Sequence, residues 1–150
     1  MTFATIEHAL EQLRSGRPVL VLDDEDRENE GDAILAAELA SPQWVGWMVR
    51  PPSGYLCAPM EDPRADRLGL PLMWSANTDP LRTRYTVSVD VSTSTTGISS
   101  VERAATTRAL ADPRTTSADL IRPGHVLPLR ARDGGAVSYT HLTLPTILLV

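Results

Sequence analysis

The chain has 150 residues, 42% of them hydrophobic and 22% charged, with a net charge of −5 and a pI near 5.1. That is the length and composition of one ordinary globular domain with room for a core, and the acidic balance without a basic stripe argues against a nucleic-acid surface. No run approaches the roughly 18 apolar residues of a membrane span, the start lacks a signal-peptide pattern, and one cysteine, Cys57, leaves no internal disulfide and suits a reducing cytoplasm.

Thr5 can cap a helix running to about Arg14, with Ile6, Ala9, Leu10 and Leu13 on one packing face and Gly16 as the stop. Pro18–Leu22 is an apolar run of strand length, and Asp32–Glu38 returns as a second strand or strand-like segment, so the loop between them is expected to hang between two buried segments. Between them stands Asp23-Asp24-Glu25-Asp26-Arg27-Glu28-Asn29-Glu30-Gly31-Asp32, with seven carboxylates and one Arg. Its local charge is −6 against −5 for the whole chain, so the protein's acidity resides in this loop. Carboxylates packed this closely repel. A divalent cation, the internal Arg, or proton-transfer chemistry using several acids would give them a purpose. A solvated acidic turn is the plain alternative. A calcium loop starting at Asp26 fits worse, because its twelfth position falls on Ala37 where a bidentate Glu is required.

Ser41-Pro42 signals a helix start, and Trp44, Val45 and Met48 supply a core face to about Val49. The two Trp residues here suit packing better than a binding platform. After the Pro51-Pro52-Ser53-Gly54 break, Tyr55–Ala58 reads as a strand in which Cys57 is a small buried hydrophobe or, at most, a residue lining the site. Glu61–Leu70 is a short polar helix or turn, and 71–80 is loop. Tyr85–Asp90 alternates as a strand, and Ser99 and Glu102 stand at capping-box spacing before a helix. Val101, Ala104, Ala105 and Leu110 form the expected buried stripe of that helix, and Pro113 ends it. Thr95-Thr96-Gly97, just ahead of the helix start, is a candidate phosphate cradle. His125 follows a Pro-Gly turn and precedes an apolar strand, Val126–Leu129.

Three stretches carry a resemblance to a known family. They are the acidic loop after its Val/Leu strand, Thr95-Thr96-Gly97-Ile98-Ser99, and Arg122-Pro123-Gly124-His125-Val126-Leu127-Pro128-Leu129-Arg130-Ala131. In this order, from about Thr5 to Val137, the chain resembles 3,4-dihydroxy-2-butanone 4-phosphate synthase, a lyase of riboflavin biosynthesis. The resemblance implies an α+β fold, a three-layer α/β/α sandwich with a mixed β-sheet. It implies a cytoplasmic homodimer whose sites borrow residues across the interface, with no nucleic-acid or membrane partner. The reaction implied converts the sugar phosphate D-ribulose 5-phosphate to L-3,4-dihydroxy-2-butanone 4-phosphate and formate with Mg²⁺ or Mn²⁺.

By the same resemblance, Glu28 is the metal ligand, and His125, Glu28 and Glu30 are catalytic. Arg27, Asp32 and Thr96 bind substrate, and Asp23 is a secondary member of the loop. Beyond Val137 the pattern breaks. The family continues with a basic residue and Gly-His-Thr-Glu-Ala, whereas this chain has His141 one position off and then Leu142-Thr143-Leu144. Residues 1–137 are therefore expected to form a truncated synthase domain and 138–150 an unrelated tail, leaving the chain inactive. Two other readings of the loop are a non-catalytic metal-binding fragment and a Mg²⁺-dependent phosphate-ester enzyme.

Overall fold

The computed structural model describes residues 3–22, 25–26, 29–51, 55–132 and the backbone of 146–149. Helix α1 (Ile6–Arg14) begins where Thr5 Oγ1 accepts the His8 N–H at 3.2 Å and ends before Gly16, whose φ of +72° suits glycine. Strands β1 (Val19–Leu22) and β2 (Gly31–Ala36) form an antiparallel pair around the acidic loop. Helix α2 (Pro42–Met48) starts on the Ser41 cap, with Pro42 at its first position. Strand β3 (Cys57–Met60), helix α3 (Asp62–Arg67), the short strand β4 (Val89–Val91), helix α4 (Ser100–Ala111), the long strand β5 (Leu120–Arg130) and β6 (Thr146–Leu149) complete the order.

The sheet runs β1-β2-β6-β3-β5-β4. The four inner strands are parallel and both edges are antiparallel, so the fold is α+β with a mixed sheet. Strand alternation separates the two faces. Ala33, Leu35, Ala58, Met60 and Val126 point to one side, where Val45 and Met48 of α2 and Ala104 and Leu110 of α4 close the main core. Trp44 and Trp47 pack edge-to-face against each other at 6.1 Å beside that core. Cys57, Leu127 and Leu129, with Ile34 and Tyr85 beside them, form a smaller cluster on the opposite face. The C-terminus of α4 is fastened by the buried Arg64, which donates to the carbonyls of Leu110, Asp112 and Thr115.

Several sequence expectations are corrected. The apolar face of α1 is only partly packed: Ile6 is 72% exposed and Leu10 is exposed, while Ala9 and Leu13 are half-buried and no residue of this helix is fully buried. The run before the acidic loop is not a buried strand either. Among the described residues β1 has a strand neighbour on one side only, and Leu20, Val21 and Leu22 are all exposed. The strand expected at Tyr55–Ala58 lies two residues later. Tyr85–Asp90 shrinks to Val89–Val91 with isolated bridges at Tyr85 and Thr86. In α4, Val101 is exposed and Ala105 only half-buried; Thr106 and Thr107 take the buried positions. The Thr106 hydroxyl accepts the Val91 N–H at 3.0 Å, which explains a polar residue there.

Candidate active site

The sheet register puts two of the expected site residues on one row. Ile34 pairs with Ile147, Ile147 with Cys57, and Cys57 with Leu127. Asp32 lies two residues before Ile34, and His125 two before Leu127. Asp32 therefore stands at the start of β2 and His125 midway along β5, just before its pairing with β3, and both are on the face that carries the smaller cluster. Three strand spacings separate β2 from β5, about 14 Å. Cys57, on the strand between them and two residues further along, feels the Asp32 charge, so Asp32 faces this side. Burial pushes the Cys57 thiol up to about 12, and the Asp32 charge adds to the rise. A neutral buried thiol is no nucleophile, so Cys57 packs the floor and does no chemistry.

His125 is the best-fixed member of the site. Its backbone N–H donates to Asp90 Oδ1 at 2.9 Å, and its ring Nδ1 lies 2.7 Å from Asp90 Oδ2. The Asp90 side chain is 8% exposed and that of His125 37%. Two glycines make this approach possible. A Cβ on Gly124 would stand 2.0 Å from the Val89 carbonyl carbon, and one on Gly97 would stand 1.9 Å from Asp90 Oδ2. Gly97 also has a φ of +77°. Ahead of His125, Arg122 donates to the carbonyls of Leu68, Gly69, Ser117 and Leu120, which holds the entry of β5 against the end of α3.

The Thr95–Ser99 turn reaches the site through Gly97, so Thr96 stands next to the residue that touches Asp90. Thr96 is exposed. The turn is stitched by Glu102, whose carboxylate accepts the Thr95 N–H and hydroxyl and the Ser99 hydroxyl, while Ser99 Oγ accepts the Glu102 N–H. These bonds, the Thr95 backbone one foremost, hold the Glu102 carboxyl below its usual range. Of the capping box expected from sequence only the Ser99 half forms: the Glu102 carboxylate reaches back past the Ser99 N–H to the Thr95 N–H, so one amide of the supposed phosphate cradle is already taken.

Of the loop's carboxylates, Glu25, Asp26, Glu30 and Asp32 are described, Glu30 exposed and Asp32 half-buried. Asp23, Arg27 and Glu28 lie outside the described residues, as does His141. Among the described residues, no three His, Cys, Asp or Glu side chains cluster closely enough to hold a metal ion. The donors this loop offers are carboxylate oxygens, the chemistry a hard cation such as Mg²⁺ prefers. Sequence reasoning missed Asp90. The available signal was an acid closing a β-branched alternating run, where burial without a partner is improbable.

Comparison with known proteins follows the same residues. The sequence pattern of the 3,4-dihydroxy-2-butanone 4-phosphate synthase family matches residues 7–147. The riboflavin biosynthesis protein RibBA of Salinispora arenicola is 58% identical over 137 residues, covering 91% of this chain and 33% of the relative. RibBA of Nocardia farcinica is 54% identical over 136 residues, covering 90% and 33%. The chain thus spans about a third of the length of these curated relatives. A crystal structure of 3,4-dihydroxy-2-butanone 4-phosphate synthase in complex with two magnesium ions superposes with a TM-score of 0.88 at 44% identity, covering 92% of this chain and 65% of that one. The Candida albicans enzyme superposes with a TM-score of 0.82 at 46% identity, covering 92% and 68%.

Proposed function

The chain belongs to the 3,4-dihydroxy-2-butanone 4-phosphate synthase family, and from that premise we propose that it carries the site for cleaving D-ribulose 5-phosphate to L-3,4-dihydroxy-2-butanone 4-phosphate and formate. The observation that carries the reading is the fixed, outward-facing imidazole of His125, on the same row and face of the sheet as Asp32. A ketose loses a proton beside its carbonyl to give an enediol, then loses water, rearranges, and releases one carbon as formate. Each step moves a proton and needs a positioned acid or base. His125 takes and returns protons at Nε2, while Glu30 serves as a further acid–base group from the loop. Arg27 and Asp32 hold the sugar hydroxyls, and the exposed Thr96 hydroxyl contacts the phosphate. Glu28 would hold Mg²⁺ or Mn²⁺, which when bound would supply stabilisation of negative charge developing on the substrate.

We place the protein in the cytoplasm as a homodimer. Its lone buried thiol and the exposed Leu72, Met73 and Trp74, consecutive in one loop, support this. No helix among the described residues is long and apolar enough to cross a membrane. Residues 138–150 are inferred to depart from the family's sequence, although Thr146–Leu149 supplies the strand between β2 and β3. The test is formate release from ribulose 5-phosphate with Mn²⁺, by this chain and by a chimera carrying a relative's segment after Val137. Formate from both establishes the lyase. Formate from the chimera alone establishes the family site and the deficiency of the tail. Phosphate release, or metal binding without turnover in both, overturns the lyase reading.

A further inference from the structure

We propose that Asp90 is the positioning residue for His125, fixing its ring with the proton on Nδ1 so that Nε2 faces the substrate as the bare acceptor. This rests on the acid–base reading of His125 given above. The argument begins with the two oxygens of one carboxylate. Oδ1 accepts the His125 backbone N–H and Oδ2 meets the ring Nδ1, so main chain and side chain are anchored to the same group. Capping the backbone at the β4/β5 register shift would need Oδ1 alone. The second contact, at 2.7 Å, serves the imidazole.

A carboxylate accepts and does not donate, so the nitrogen facing it must carry the hydrogen, and a neutral imidazole then has its lone pair on the other nitrogen. Burial points the same way: the acid lies inside and the ring half outside. The surroundings allow no other arrangement of the pair. Gly97 covers Oδ2 so closely that any side chain there would strike it, and Gly124 brings the His125 backbone onto β4. When Nε2 takes a proton from the substrate, the new N–H bond leaves an imidazolium whose Nδ1–H stays on Asp90. Asp90 remains ionised, and the proton returns from Nε2 in a later step.

The experiment is long-range ¹H–¹⁵N spectroscopy of the chain labelled at histidine nitrogen, with the His125 signals assigned through His125→Gln. The expected result is neutral His125 in the Nδ1–H form. An Nε2–H ring, or an even average of the two forms, overturns the proposal without any variant. In Asp90→Asn the amide offers one acceptor in place of two, so keeping the backbone bond turns an NH₂ toward Nδ1 and drives the ring to Nε2–H. Turnover of the active form, chain or chimera, is then expected to fall about 10²-fold or more with KM within a few-fold. An unchanged tautomer in a folded Asp90→Asn protein overturns the positioning role; should that variant not fold, the tautomer of the unaltered chain decides. Nδ1–H His125 in a chain and chimera that release no formate overturns the lyase reading and leaves the pair standing.

Discussion

The two antiparallel edges of the sheet make a useful contrast. At one edge, β4 is short but sealed: Val89 and Asp90 are buried, α4 packs over them, and a side-chain carboxylate and two glycines lock His125 into place. At the other, β1 is purely apolar yet largely exposed, pairs with β2, and leads into seven carboxylates. The chain's own hydrogen bonds and packing build the base at the first edge. At the second it gathers like charges whose mutual repulsion works against the arrangement.

Four experiments break or sharpen that contrast. Glu28→Gln is expected to eliminate Mn²⁺ binding by calorimetry, together with the rise in melting temperature that the ion gives the unaltered protein. Retained affinity would show that the acidic edge does not depend on this carboxylate. His125→Ala, made in the active form of the protein, is expected to lower turnover by roughly 10²–10⁴ with substrate affinity within a few-fold. Near-normal turnover would reduce the sealed edge to a packing feature.

The third experiment compares two leucines. Leu120→Ala, buried on β5 where it pairs with β4, is expected to cost about 2–5 kcal/mol in denaturant unfolding. Leu20→Ala, exposed on β1, should stay within about 0.5 kcal/mol. A comparable loss at Leu20 would mean that β1 is covered in solution, as a dimer or docked segment would cover it.

The smallest effect concerns acid. Glu102 has a folded-state pKa below its ordinary value, chiefly through the Thr95 N–H. The unfolded chain therefore binds its proton first as pH falls. Its stabilisation is present above the ordinary carboxylate value and is lost as pH drops through the lowered one. Glu102→Gln should flatten that acid limb slightly in melts below about pH 4.5, the ordinary range for Glu, with no change near neutrality in the limb's slope. An unaltered limb would show that the turn beside Asp90 does not rely on the ionised carboxylate.

The local signals in the sequence were strong wherever a few neighbouring residues decide the outcome. Thr5, Ser41 and Ser99 cap their helices because a side-chain oxygen three residues ahead of a free N–H suffices. Pro18–Leu22 and its acidic loop, and the order of family motifs, were legible for the same reason, as was the identity of His125. What the linear chain could not show is which apolar faces find a partner. The α1 stripe and β1 read as core but stay largely exposed, since burial depends on what lies across from them. Asp90 read as the end of a strand because its role exists only once β4 and β5 lie side by side, 35 residues apart in sequence and 2.7 Å apart at the carboxylate and imidazole. Periodicity and capping are set by residues a few positions apart. The row joining Asp32 and His125, and the pairing of an acid with a base, are set by strand register, which only the folded sheet determines.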